Sequence, residues 1–130
     1  MRRLVLDATV VMRWFTDDRS RPNRAARALR DEFEAGTLVV IVPSVARLDL
    51  LDAAAEHLSA GRLASFADAA ERIGFEYREP APSDVASWLT RGLTAAEAAY
   101  AAVASANDLR LVTANPRLLA VAAPVVQPLG

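Results

Sequence analysis

Short apolar runs alternate along the chain with longer stretches whose apolar residues recur at helical spacing. The short runs predict strands at residues 4–6, 38–42, 75–78, 111–113 and 125–126. The stretches between them predict helices over residues 10–15, 25–35, 44–60, 63–73, 83–89, 94–107 and from 115 onward. A parallel strand pair needs a long crossover, which a helix usually provides. The pattern therefore predicts an α/β fold with a central parallel sheet of four to five strands flanked by helices, in one domain spanning residues 1–130.

Turn and capping residues set the predicted helix ends. Arg21-Pro22 predicts a turn ahead of the second helix, and Gly36 predicts the end of that helix. Pro43-Ser44 predicts the start of the third helix, and Gly61 predicts its end. Ser83 is a predicted N-cap, because its hydroxyl suits the free amides of a first helical turn.

The third helix is predicted to be amphipathic. Its buried face is predicted to consist of apolar residues, namely Val45, Leu48, Leu51, Ala55 and Leu58. The opposite face carries the acidic residues Asp49, Asp52 and Glu56.

Composition narrows the possible chemistry. The chain is 53% hydrophobic and 24% charged, which excludes a disordered or low-complexity protein. It has no Cys and one His, which excludes disulfides, Cys-ligated zinc and paired-His metal sites. All 15 basic residues are Arg, so a Walker A lysine or a Schiff-base lysine is absent. Any chemistry must use carboxylates, hydroxyls and Arg.

Charge and hydropathy predict a cytoplasmic protein with no membrane segment. The net charge of -1 creates no overall field for nucleic acid or for an anionic membrane. Asp7 interrupts the N-terminal apolar run too early for a signal peptide, and no window approaches the roughly 18 apolar residues of a membrane span.

Four oxygen-bearing side chains are predicted to meet at one edge of the sheet. Asp7 follows the first strand directly, and Asn115 lies two residues after the strand at 111–113. Ligands of open parallel sheets bind beyond the carboxyl ends of the strands. Asp49 and Glu97 lie in the early turns of two helices and are predicted near the same edge. Oxygen ligands favour Mg²⁺ or Mn²⁺, and such a site suits phosphodiester hydrolysis.

Each of these residues also has a purely structural interpretation. Asp7 and Asn115 suit N-caps, and Thr94-Ala95-Ala96-Glu97 has the pattern of a capping box. Asp49 fits the solvated face of its helix. His57, the one imidazole, is interpreted as a surface or packing residue.

A basic run has two interpretations, phosphate binding or a solvated face. The run consists of Arg19, Arg21, Arg24, Arg27 and Arg30. The acidic residues that flank it are Asp17, Asp18, Asp31 and Glu32. Pairing with these neighbours is favoured over phosphate binding.

The order of four motifs resembles one family. Leu4-Val5-Leu6-Asp7-Ala8-Thr9 and the residues after it resemble the start of PIN-domain ribonucleases, specifically VapC-like toxins of type II toxin–antitoxin pairs. The segment Leu48-Asp49-Leu50-Leu51-Asp52 resembles the second acidic block of that family, and Gly92-Leu93-Thr94-Ala95-Ala96-Glu97 resembles the third. Leu111-Val112-Thr113-Ala114-Asn115 resembles the fourth.

The resemblance implies a three-layer α/β/α PIN-like fold and a Mg²⁺- or Mn²⁺-dependent endoribonuclease. By resemblance, Asp7, Asp49 and Glu97 are metal ligands and Asn115 assists them, while Thr9 and Thr113 support the site. The family generally has Glu where Asp49 stands, Asp where Glu97 stands, and often Asp where Asn115 stands. One firmly held metal is therefore expected.

The resemblance also implies partners. They are an RNA substrate, a second copy in a homodimer, and a cognate antitoxin that inserts a segment into a helical groove. That groove is predicted near Leu48, Leu51, Leu58 and Leu63, with an antitoxin Arg pairing with the site carboxylates.

Two other classes remain open. A degenerate PIN domain would bind RNA or protein without turnover, and the three altered ligand positions motivate this alternative. An aspartyl phosphoryl-transfer enzyme would also place an Asp after its first strand, as in Asp7-Ala8-Thr9. The second Asp of that motif and the lysine of receiver-type enzymes are missing.

Overall fold

The computed structural model describes residues 1–16 and 18–130. Its strands are β1 (Arg2–Leu6), β2 (Leu38–Val42), β3 (Glu76–Tyr77), β4 (Leu111–Thr113) and β5 (Val126–Pro128). Its α-helices are α1 (Ala8–Val11), α2 (Arg21–Glu34), α3 (Ala46–Ala55), α4 (Ala60–Glu71), α5 (Pro82–Leu89), α6 (Ala95–Ala106) and α7 (Pro116–Val121). A 3-10 helix, Met12–Phe15, continues α1.

The five strands form one sheet in the order β3-β2-β1-β4-β5, and every neighbouring pair is parallel. β1 lies at the centre, where Val5 pairs with Ile41 on one side and with Leu111 on the other. All strands therefore point their carboxyl ends toward the same edge. The predicted α/β fold, with a central parallel sheet flanked by helices, is confirmed.

Helix α6 packs deep in the core. Every residue from 98 to 104 is buried, and five of these seven are Ala. Small side chains let the helix backbone approach β1 and β4 closely on one side and α5 on the other. The close packing of α6 fixes the position of its first turn, which carries Glu97.

The segment after β1 is held by an aromatic cluster and by arginines. Trp14 packs against Phe33 and Phe75, with ring centroids 5.6 and 5.9 Å away. Arg30 Nη1 donates to the Trp14 carbonyl at 2.8 Å, and Arg27 donates to the Thr16 carbonyl. These two members of the basic run therefore bind main-chain oxygens at the end of the 3-10 helix. Asp17, predicted to flank the run, lies outside the described residues.

The predicted buried face of the third helix is wrong. The buried residues of α3 are Ala46, Leu50 and Ala54, at a spacing of four, whereas Leu48 is 63% exposed. The apolar and acidic residues interleave in this segment, so either stripe matches a helical period. Ala46 and Ala54 on the buried face allow close packing, and that packing decides which stripe faces inward.

Three predicted boundaries are also wrong. Pro22 lies in the first turn of α2, which Ser20 caps, and not in a preceding turn. Gly61 does not end the third helix; α3 ends at Ala55, and Gly61 lies in the first turn of α4. Ser83 caps no helix, because α5 already begins at Pro82. A proline within the first turn of α2 and of α5, and the early end of α3 at Ala55, explain these shifts.

Candidate functional site

Asp7 lies where the central strand meets a helix. It directly follows β1 and is the N-cap of α1, with extended backbone angles. Its Oδ1 accepts from the Thr9 amide at 3.1 Å and from the Thr9 hydroxyl at 2.6 Å. The interpretation of Asp7 as an N-cap is therefore correct. Asp7 also lies at the carboxyl edge of the sheet, as predicted. Only 3% of Asp7 is exposed.

Two threonine hydroxyls orient the Asp7 carboxylate. Thr113, fully buried at the end of β4, donates to Asp7 Oδ2 at 2.5 Å. Its oxygen accepts from the Asn115 amide at 2.9 Å, and the Thr9 oxygen likewise accepts from the Ala114 amide at 2.9 Å. Because each hydroxyl accepts from a backbone amide, its proton is directed to Asp7. Thr9 and Thr113 thus bind both carboxylate oxygens.

Asp49 lies on α3 and is oriented by Tyr100 of α6. The buried Tyr100 hydroxyl donates to Asp49 Oδ2 at 3.0 Å. Burial, together with the negative charges of Asp49 and Asp7, raises the pKa of Tyr100 well above its usual range. Tyr100 therefore keeps its proton and remains a donor to Asp49. This residue was given no role in the sequence analysis, although it lies three positions after Glu97 on the same helix face.

Burial raises the pKa of Asp7 and that of Asp49. For Asp7, burial outweighs the hydrogen bonds from Thr113 and Thr9, and the charge of Asp49 raises its pKa further. For Asp49, burial outweighs the Tyr100 bond, and the charges of Asp52 and Glu97 add to the effect. The two carboxylates therefore lie in a poorly hydrated, negatively charged environment.

Glu97 and Asn115 contact each other. Glu97 Oε1 accepts from the Thr94 amide at 2.8 Å, which completes the predicted capping box of α6. Glu97 Oε2 accepts from Asn115 Nδ2 at 2.7 Å. Asn115 Oδ1 in turn caps α7, accepting from the Arg117 amide at 2.8 Å.

Arg117 forms an ion pair with Glu97. Its Nη1 lies 3.1 Å from Glu97 Oε1. Burial alone would raise the pKa of Glu97, but the bonds from the Thr94 amide, Asn115 and Arg117 lower it overall. No role was predicted for Arg117. It lies two residues after Asn115, which was itself predicted near Glu97, and this short distance in sequence is the signal that could have placed it there.

These residues line one cleft at the carboxyl edge of the sheet. The cleft has a volume of about 250 Å³. Its polar lining includes all four predicted ligand positions, with Thr9 and Tyr100: Asp7, Thr9, Asp49, Glu97, Tyr100 and Asn115. The structure thus brings the predicted residues to one place, but Glu97 and Asn115 are engaged with each other and with α7.

Asp7 and Asp49 fit a hard divalent cation. They present carboxylate oxygens to one cleft, and among residues 1–16 and 18–130 neither forms an ion pair with an Arg. In the same described ranges, no group of three or more His, Cys, Asp or Glu side chains is close enough to hold an ion. Asp7 and Asp49 therefore provide two carboxylates for an ion, whereas Glu97, in the same cleft, is bound by Asn115 and Arg117.

An apolar groove runs away from this cleft. A neighbouring depression shares Thr9, Met12 and Ala53 with the cleft and extends to His57. Beyond it, a larger groove of about 420 Å³ is lined mainly by apolar side chains, including Met12, Phe15, Leu58 and Phe66. Of the four leucines predicted to form the antitoxin groove, Leu58 lines this one, whereas Leu48, Leu51 and Leu63 do not. His57 is exposed, as predicted for a surface residue.

Comparisons with known proteins were made by sequence and by structure. No protein-family model matches the chain, and no curated protein matches it. In the described residues, no helix is long and apolar enough to cross a membrane.

Two crystal structures share the architecture. The structure of PAE2754 from Pyrobaculum aerophilum has 20% sequence identity and a TM-score of 0.68, over 98% of this chain and 90% of that one. The structure of FitAcB from Neisseria gonorrhoeae has 15% identity and a TM-score of 0.67, over 95% of each chain. The similarity covers the whole sheet and its helices, so the chain has the PIN-like α/β fold that its sequence motifs indicate.

Proposed function

We propose that this chain is a metal-dependent endoribonuclease, a VapC-like toxin of a toxin–antitoxin pair. The observation that carries the proposal is the buried Asp7 carboxylate. It ends the central strand, both its oxygens are bound by threonine hydroxyls, and Asp49 lies in the same cleft. A buried carboxylate beside a partly buried one, both with raised pKa values, is costly for folding, so the arrangement points to a role in function.

The site residues would have different roles in phosphodiester hydrolysis. Asp7 and Asp49 would hold Mg²⁺ or Mn²⁺, with Thr9, Thr113 and Tyr100 fixing their orientation. The bound ion would activate water and neutralise charge on the phosphoryl oxygen. Attack by water on the phosphorus would form one P–O bond as the bond to the leaving ribose oxygen breaks. A carboxylate of the pair would accept the proton from the water, and the leaving oxygen would take a proton from solvent. The apolar surroundings of the carboxylates strengthen these electrostatic effects.

The test is RNA cleavage with Mn²⁺ by the purified protein and by an Asp7→Asn variant. Asn keeps the size of the side chain, whereas Ala would leave the Thr9 and Thr113 hydroxyls without an acceptor. Asp68→Asn, at an exposed position on α4, is the matched control. We expect at least a 100-fold loss of cleavage in Asp7→Asn, an order-of-magnitude expectation for an essential group, and none in Asp68→Asn. Equal cleavage by both variants would exclude Asp7 from the reaction.

A degenerate PIN domain that binds RNA or protein without turnover is the second candidate. The engagement of Glu97 by Asn115 and Arg117 favours it, because a metal site with only two free carboxylates binds ions weakly. It predicts RNA or partner binding without metal-dependent cleavage at any Mn²⁺ concentration.

The proposed antitoxin would occupy the apolar groove beside the cleft. A segment with apolar side chains would contact Met12, Phe15 and Phe66, and an Arg at its end would reach Asp7 and Asp49. We expect Phe15→Asp, at a half-exposed position of the groove, to weaken binding of the protein encoded beside this chain more than tenfold, with cleavage retained. An unchanged affinity would place the antitoxin elsewhere.

The proposed assembly is a homodimer in the cytoplasm, with RNA as the substrate. Sedimentation equilibrium of the purified chain tests the assembly. A mass of about twice 14.0 kDa is expected, and a monomer at all concentrations contradicts it.

A further inference from the structure

Both carboxylate oxygens of Glu97 are already bound by donors from the N-terminal cap of α6 and from the start of α7. Its two oxygens accept from the Thr94 amide, from Asn115 Nδ2 and from Arg117 Nη1. Only 13% of the side chain is exposed, whereas 53% of Arg117 is exposed. A carboxylate with three donors, one of them the guanidinium of an ion pair, has little need of a metal ion.

The two side-chain partners come from the start of one helix. Asn115 is the N-cap of α7 and Arg117 lies in its first turn. The Asn115 oxygen is committed to the Arg117 and Leu118 amides, so its NH₂ group is the part left for Glu97. An Asp at this position would present a second carboxylate to Glu97 and repel it. Asn115 and Glu97 are therefore a complementary pair.

We propose that Asn115 and Arg117 form a latch that withholds Glu97 from the metal and lowers metal affinity until it opens. The inference rests on the proposed metal-dependent function. Asp7 and Asp49 can bind the metal without rearrangement. Glu97 becomes the third carboxylate ligand only when α7 releases it. Glu97 lines the same cleft as Asp7 and Asp49, so its release from α7 would free a third carboxylate there. Arg117 and Asn115 are thus positioning residues that act through Glu97.

Two variants open the latch in different ways. Arg117→Gln removes the ion pair at an exposed position, which preserves the fold. Asn115→Ser removes the NH₂ donor to Glu97 but keeps an oxygen that caps α7, since Ser is a good N-cap. Asn115→Ser changes no charge, so a gain in metal affinity there is not a simple loss of repulsion. Arg72→Gln, at the exposed end of α4, is the control for the loss of one positive charge.

The measurement is calorimetric titration of Mn²⁺ into each protein. We expect Arg117→Gln and Asn115→Ser to bind Mn²⁺ about twofold to fivefold more tightly than the unmodified chain, the size expected for breaking one exposed pair or hydrogen bond. Arg72→Gln should match the unmodified chain. If Asn115 were itself a metal ligand, Asn115→Ser would weaken binding, and the latch would be excluded.

A double-mutant cycle separates the latch from plain electrostatics. Glu97→Gln alone should change Mn²⁺ affinity little, because Glu97 is withheld in the unmodified chain. In the Arg117→Gln background the same change should remove the gain. A gain that persists without Glu97 overturns the latch.

Failure of the latch and failure of the proposed function give different results. Equal Mn²⁺ affinity in all latch variants, with cleavage that still depends on Asp7, overturns the latch and leaves the nuclease proposal intact. Absence of Mn²⁺ binding in every variant, together with absence of cleavage, overturns both.

Discussion

The Thr113 hydroxyl donates a 2.5 Å hydrogen bond to Oδ2 of Asp7, joining the ends of β4 and β1 across 106 residues of chain. Both residues are buried, and both stand where their strands end. The bond fixes the orientation of a carboxylate that lines the cleft. It also means that the fold and the proposed chemistry depend on the same contact.

Thr113→Val should therefore cost stability as well as activity. The change keeps the shape but leaves Asp7 Oδ2 and the Asn115 amide without their partner. We expect a loss of about 2 kcal/mol in the free energy of unfolding, measured by urea denaturation. Thr90→Val, at an exposed hydroxyl after α5, should cost less than about 0.5 kcal/mol. Equal losses in the two variants would show that the bond to Asp7 has no special weight.

Asp7 should make the metal-free protein less stable as the pH rises. Burial raises the pKa of Asp7 in the folded state above its value in the unfolded chain. The unfolded chain then releases the proton first, so the contribution of Asp7 to stability is full in acid and is lost as the pH rises through its folded pKa. Asp7→Asn should be more stable than the unmodified protein at neutral pH and should show a weaker dependence on pH. Urea unfolding of both proteins across about pH 4 to 7 measures this. Parallel curves would contradict it.

Tyr100→Phe should disturb the site without unfolding the chain. The change removes only the hydroxyl that donates to Asp49 Oδ2. We expect a stability loss of about 1 kcal/mol and a clear fall in Mn²⁺ affinity, because Asp49 loses its orientation. Tyr77→Phe is the control: Tyr77 contacts Arg47 at the surface, and its ring remains for that contact. Loss of Mn²⁺ affinity in both variants would point to a general effect of removing a tyrosine hydroxyl.

The alanines of α6 should not tolerate larger side chains. Ala101 is fully buried in the helix that packs against β1 and β4. Ala101→Leu should destabilise the protein by about 1 to 3 kcal/mol through overpacking. Ala95→Leu, at the exposed start of the same helix, should be close to neutral. Thermal unfolding of the two variants tests the expectation, and a neutral Ala101→Leu would show that the helix has room to move outward.

Helices and strands were predicted well where the local pattern of apolar and capping residues allowed only one assignment. The strands at 38–42 and 111–113 are continuous apolar runs, and the structure has them with the same bounds. The Thr94 capping box likewise placed the start of α6. The prediction was wrong on α3, because its two possible apolar stripes differ only in what the rest of the molecule packs against them.

The location of the candidate site could be predicted, but the hydrogen bonds and ion pairs within it could not. The position of Asp7 and Asn115 after strands follows from the parallel sheet, and α3 and α6 bring Asp49 and Glu97 to the same cleft. Which side chain binds which depends on distances of a few ångströms between elements far apart in sequence. The Tyr100 bond to Asp49 and the Arg117 pair with Glu97 are contacts of that kind. They were missed for this reason.

The most direct test of the account is calorimetric titration of Mn²⁺ into the unmodified protein and its Asp7→Asn variant, with RNA cleavage scored on the same samples. We predict Mn²⁺ binding and cleavage by the unmodified protein and the loss of both in Asp7→Asn, whose fold is preserved. Cleavage that continues in Asp7→Asn, or RNA binding with no response to Mn²⁺ in either protein, would contradict a metal-dependent nuclease at this cleft.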